Sequence, residues 1–145
     1  MPRLARAWLA LTTSLALHVV DEAANDFLSF YNPMVLRLRE RFAWFPMPTF
    51  EFWPWLIGLT LLVLFLYALT PSVRRGGRWV KSAGYPFAVI MTLNGFGHIA
   101  ISMNEGRMIA GVWTAPLLLA ASAYMFVALT HRPHSLSSSE KWERK

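Results

Sequence analysis

The residues of this chain best suited to chemistry are His18, Asp21 and Glu22, joined by Asn94 and His98 far along the sequence. Each set is embedded in a long apolar run. An ionisable group there costs several kcal/mol and persists when it faces a protein interior with a partner or a task. At about 100° per residue and with His18 at zero, Glu22 falls near 40°, Asn25 near 340°, Ser14 near 320°, Asp21 near 300° and Asp26 near 80°. One face of a first helix therefore carries a histidine and three carboxylates. With Asn94 at zero, His98 falls at about 40°, Ser102 at about 80° and Glu105 at about 20°, a second polar stripe. Gly95 and Gly97 flank it, and small residues let membrane helices approach closely.

Three chemistries fit this pattern. The leading one is proton transfer on an apolar substrate, with no cofactor. Burial raises a carboxyl pKa, and a carboxylic acid kept protonated near neutral pH can protonate an alkene or polarise a carbonyl. Glu22 is then the acid, His18 its relay, Asp21 or His98 the base, and Asn94 the residue that orients substrate. Asn25 and Trp113 complete the substrate contacts, Trp113 by stabilising a cationic intermediate. The reaction class is isomerisation or cyclisation of a membrane lipid, isoprenoid or other apolar small molecule. The alternative is a metalloenzyme in which His18, Glu22 and His98 hold a single iron or zinc ion. The paired Glu-x-x-His pattern of di-iron bundles is absent. A third reading is non-enzymatic, a small transport or lipid-binding module working as a homo-oligomer. Buried polar residues also join membrane helices through hydrogen bonds; two histidines and two carboxylates at matching depth weigh toward a site.

These residues must be positioned by membrane helices. Of the 145 residues 55% are hydrophobic, only 15% are charged, and the mean hydropathy is +0.37. A soluble domain carries about 25% charged residues. The absence of cysteine excludes disulfides, thiolate metal sites and cysteine nucleophiles. Four apolar runs, from 7 into the late twenties, 53–70, 84–103 and 109–130, approach the ~20 residues needed to cross ~30 Å of hydrocarbon. His18 and His98 lie about eleven and fourteen residues into their runs, both directed outward, and so reach similar depth. Between the first two runs, Met34, Val35, Leu38, Phe42 and Phe45 repeat at helical spacing opposite Arg37, Glu40 and Arg41. This predicts an amphipathic helix in the interface plane, an anchor or a lid. The fold class is all-α, a four-helix transmembrane bundle with an interfacial amphipathic helix between helices 1 and 2. Residues 1–130 form one membrane domain, and 131–145 a polar, disordered tail with His131 and His134 solvated. Glu105 reads as a loop charge beside Arg107.

Ten of the fourteen basic residues fall before helix 1, between helices 2 and 3, or after helix 4. Positive-inside bias then places both termini in the cytoplasm of a multi-pass protein. The first run is not read as a cleavable signal peptide, because His18-Val19-Val20-Asp21-Glu22 stands where a small-residue cleavage site would be. The net charge of +6 is spread over short clusters between apolar runs, which fits lipid headgroups and excludes nucleic acid as a partner.

The segment His18-Val19-Val20-Asp21-Glu22, followed by Asn94-Gly95-Phe96-Gly97-His98, resembles the HXXEE family of small bacterial integral membrane proteins over residues 8–130. Asp21 stands where that family has its first Glu, keeping the charge with one methylene less of reach. The resemblance implies a bacterial inner-membrane topology and the position of a site, not an activity. A weaker likeness, to sterol isomerases of the emopamil-binding-protein type, rests on His18, Glu22 and Asn94. It implies similar acid–base chemistry.

Overall fold

The computed structural model describes residues 2–131; the tail expected after residue 131 lies outside them. The order is α1 (Pro2–Ala24), α2 (Phe27–Arg41), α3 (Phe52–Arg74), α4 (Trp79–Glu105) and α5 (Ala115–Thr130). No strand occurs among the described residues, so the all-α expectation holds.

Two helices, α3 and α4, are long and apolar enough to cross a membrane. Their apolar windows are only 22% and 28% buried. A soluble protein covers such surface; here Ile57, Leu61, Phe65, Ile90, Leu93 and Phe96 all lie exposed. An apolar patch of this extent is stable against hydrocarbon and is a liability in water.

Helix α1 is the centre of the bundle. It packs between α3 and α5, and α4 packs against the far side of α5. The core is apolar: Leu11, Leu15, Val73, Val80, Leu118 and Met125 are buried in one cluster. At one end Trp8 ties three helices together. Its indole N–H donates to the Leu66 carbonyl of α3 at 2.9 Å, and its ring meets Trp79 and Phe87 of α4 edge-on. Along α4, Gly84 and Gly95 let α5 approach: a Cβ at Gly84 would lie 2.8 Å from Met125, and one at Gly95 3.2 Å from the Ala115 carbonyl. Gly97, read from the sequence as a second close-approach position, faces open space instead.

Two boundaries differ from the sequence reading, and both matter to the site. The first run does not continue into the late twenties. Helix α1 stops at Ala24, Asp26 takes a left-handed conformation (φ 54°, ψ 49°), and α2 begins at Phe27 rather than Met34. Asp26 therefore leaves the polar face on which a continuous helix would put it. Helix α2 packs Leu28, Tyr31 and Val35 against Trp55 at the start of α3. The last helix begins at Ala115, not at 109. Its sixteen residues cover about 24 Å, short of ~30 Å of hydrocarbon. Residues 106–114 are turns, and within them Ile109 and Ala110 are buried.

Gly84→Leu should force α4 and α5 apart, because the added carbons meet Met125 and Leu129; overpacking of this kind costs about 1–3 kcal/mol. Thermal unfolding in detergent should show a lowered Tm. Gly58→Ala, at a position with no neighbour within 4 Å, should leave it unchanged.

Candidate metal centre

Backbone that leaves a helix must find new partners for its N–H and C=O groups where it is buried. The turn 106–114 obtains them from the polar stripes of α1 and α4. Ser102 accepts the Ile109 N–H at 3.2 Å. His98 Nδ1 meets the Ala110 carbonyl at 2.7 Å. Asp21 Oδ2 accepts both the Thr114 N–H at 3.1 Å and the Thr114 hydroxyl at 2.9 Å. Thr114 is the N-cap of α5, so the Asp21 charge also lies at the positive end of that helix. Asn25 fixes the second oxygen of Asp21, its amide donating to Oδ1 at 2.8 Å.

The turn determines how the histidines are used. A carbonyl only accepts, so His98 Nδ1 carries the proton it donates to Ala110. The Thr114 hydroxyl has one proton, taken by Asp21 in the shorter of its two outgoing bonds. Its oxygen therefore accepts from His18 Nδ1, 2.8 Å away. In its neutral form each imidazole then presents a bare Nε2 on the opposite side of the ring. The two rings meet edge-to-face, with centroids 4.6 Å apart at 87°.

Both Nε2 atoms converge on Glu22. His98 Nε2 lies 3.1 Å from Glu22 Oε1, and His18 Nε2 lies 3.6 Å from the same oxygen. The three ligating atoms fall within 4.8 Å of one another and could hold a metal ion. All three residues are buried, at 0% (His18), 5% (Glu22) and 6% (His98) exposure. Asn94 sits beside His18, but neither its Oδ1 nor His18 Nε2 has a hydrogen-bond partner. Phe27, the first residue of α2, covers His98 at 5.5 Å between ring centroids.

The structure thus brings together His18, Glu22, His98 and Asn94. Asp21 joins them one bond removed, through Thr114, and Asn25 one bond further. Its carboxylate is committed to the turn, so the geometry gives Asp21 an orienting position rather than that of a base. Trp113, expected as a substrate contact, is 69% exposed on the turn, next to Thr114. Glu105 is a loop charge, 3.9 Å from Arg107. Ser14 turns back onto the Ala10 carbonyl. Thr114 is not among the site candidates named from the sequence. Its signal was available: Thr114-Ala115-Pro116 has the form of a helix start, a hydroxyl N-cap followed by proline in the first turn.

No protein-family model, curated protein or solved structure matches this chain.

Gly111 makes the arrangement possible. It has φ +85°, and a Cβ there would lie 2.6 Å from the His98 ring and 2.9 Å from that of His18. Gly111→Ala should displace both imidazoles and strain the backbone, with a loss of about 1–3 kcal/mol. The imidazole nitrogen shifts of histidine-labelled protein should move for His18 and His98 and stay in place for His131.

Proposed function

We propose that the chain is a multi-pass membrane metalloenzyme that binds one divalent cation through His18 Nε2, Glu22 and His98 Nε2. The observation that carries this is the convergence of three buried ligand atoms, one of which, His18 Nε2, has no hydrogen-bond partner. A proton shared between Glu22 and His98 satisfies that pair across 3.1 Å. It leaves His18 Nε2, 3.6 Å from the carboxylate, buried and unpartnered. A cation satisfies all three at once. Metal–nitrogen and metal–oxygen bonds of about 2.0–2.2 Å give tetrahedral edges of roughly 3.3–3.6 Å; the His18–Glu22 separation of 3.6 Å is at the top of that range and the His98–Glu22 separation of 3.1 Å just below it.

The surroundings fit the same reading. Metal-binding histidines usually donate their other ring N–H to a carbonyl or carboxylate, which sets the tautomer and the ring orientation. His98 does so to Ala110, and His18 does so to Asp21 through the Thr114 hydroxyl. Two histidines and one glutamate leave a fourth position open, as catalytic zinc sites do. The ion would supply Lewis acidity toward a carbonyl or water oxygen. Asn94 Oδ1, another buried acceptor without a partner, borders the cluster and would receive a hydrogen bond from a bound molecule.

Around this site we read four spans. The α3 and α4 helices cross alone, α1 crosses with its polar face turned inward, and α5 crosses with the help of the turn before it. Both termini are cytoplasmic by the charge bias, in a bacterial inner membrane if the HXXEE likeness is one of descent. The second reading is proton transfer without metal, favoured by the 3.1 Å contact of Glu22 with His98.

Elemental mass spectrometry on detergent-purified protein separates the two. The parent and an exposed-histidine control, His131→Ala, should carry close to one transition metal or zinc ion per chain. His98→Ala and Glu22→Gln should carry none, and Thr114→Val should bind about 10- to 100-fold more weakly. A folded parent with no metal above background contradicts the metal reading and leaves the shared proton.

A further inference from the structure

Beside the His18–Glu22–His98 cluster, a cavity of about 120 Å³ lies between α2 and α4. Phe27, Phe30, Met34, Leu93, Ile101 and Ile109 make up its apolar wall. Its polar side chains are Asn94 and His98, a ligand of the proposed ion and its neighbour. Leu93, at its outer edge, is 67% exposed. Gly97 also lines it, with nothing within 4 Å of where a Cβ would stand. A second cavity, of about 220 Å³, shares Phe30 and Ile109 with the first, but Asn25, Asp26, Ser29 and Arg107 make it polar.

We infer that this cavity is the substrate's lateral entry, and that the substrate is an apolar chain bearing one oxygen-containing polar group at its leading end. The proposal rests on the metal reading above. Polarity within the cavity is one-sided. A chain arriving from the bilayer at Leu93 meets only carbon and sulfur until its end reaches Asn94 and His98. There a carbonyl or carboxylate oxygen can take the open position on the ion, and a hydroxyl or amide hydrogen can donate to Asn94 Oδ1. Dry apolar cavities of about 150 Å³ accept a molecule the size of benzene, so the volume holds the reacting end of such a molecule while the rest stays in lipid. Phe27 and Phe30 follow directly after the left-handed break at Asp26, which turns α2 across the cavity and closes it on the side away from α4.

The test uses metal-binding amphiphiles as probes. Acetohydroxamate and its straight-chain homologues are titrated against the metal-containing protein in one detergent, with the parent, Gly97→Leu and Leu93→Trp compared. Affinity in the parent should rise about fourfold per added methylene over the first few carbons, the transfer value for burying a CH₂. In Gly97→Leu that gain should disappear, while metal content and acetohydroxamate binding remain. Leu93→Trp, an exposed substitution at the mouth, should reduce the gain without affecting the fold. An equal chain-length gain in all three proteins would mean partition into the micelle and overturn the proposal, as would a parent with no gain. A parent that holds no metal and binds no acetohydroxamate overturns the metal reading, and this proposal falls with it.

Discussion

A short unwound segment packed against a helical core must find partners for its own backbone. Residues 106–114 separate α4 from the sixteen-residue α5, and they leave helical hydrogen bonds behind. Their partners come from side chains on two other helices: Asp21 from α1, His98 and Ser102 from α4. α1 and α4 otherwise touch little, since α5 lies between them for most of their length. The turn, together with the direct contacts of His98 to Glu22 and His18, joins them at this end of the bundle, as Trp8 does at the other.

This constraint explains how a few residues serve two purposes. Each histidine spends Nδ1 on the turn, His98 directly and His18 through Thr114. Structural duty on one side of the ring fixes the proton there, and so leaves the lone pair on the other side. With neutral rings, the buried face toward Glu22 is made of acceptors because the opposite face is made of donors. Polar residues that join helices and polar residues that form a site are often treated as rival interpretations. Here they are two edges of the same imidazoles. Gly111 sits at the point of closest approach, where no side chain larger than a hydrogen fits against the two rings.

Much of this was legible in the sequence. Helical periodicity put His18 and Glu22 on one face, equal depth put His98 level with them, and all three meet. The all-α class and the apolar character of α3 and α4 followed from composition. Three features were not legible, for identifiable reasons. Asp26 breaks the first helix by adopting a left-handed backbone, which Asn and Asp tolerate, and hydropathy does not register backbone sign. Ile109, Ala110 and Val112 are apolar, so the turn they occupy was absorbed into the last helix, although Gly111 and the Thr114-Ala115-Pro116 start stood against that. Asp21 could not be told apart from Glu22 as a candidate base, because only the fold shows that its carboxylate faces Thr114.

The central claim is that a cation, not a proton, completes the group formed by His18, Glu22 and His98. X-ray absorption at the edge of the ion that co-purifies with the intact protein tests it directly. The account predicts a first shell of nitrogen and oxygen at about 2.0–2.2 Å, with the outer-shell scattering of two imidazoles that is reduced to one in His18→Ala. A spectrum with no imidazole scattering, or one unchanged by that substitution, would place the ion elsewhere and contradict the account.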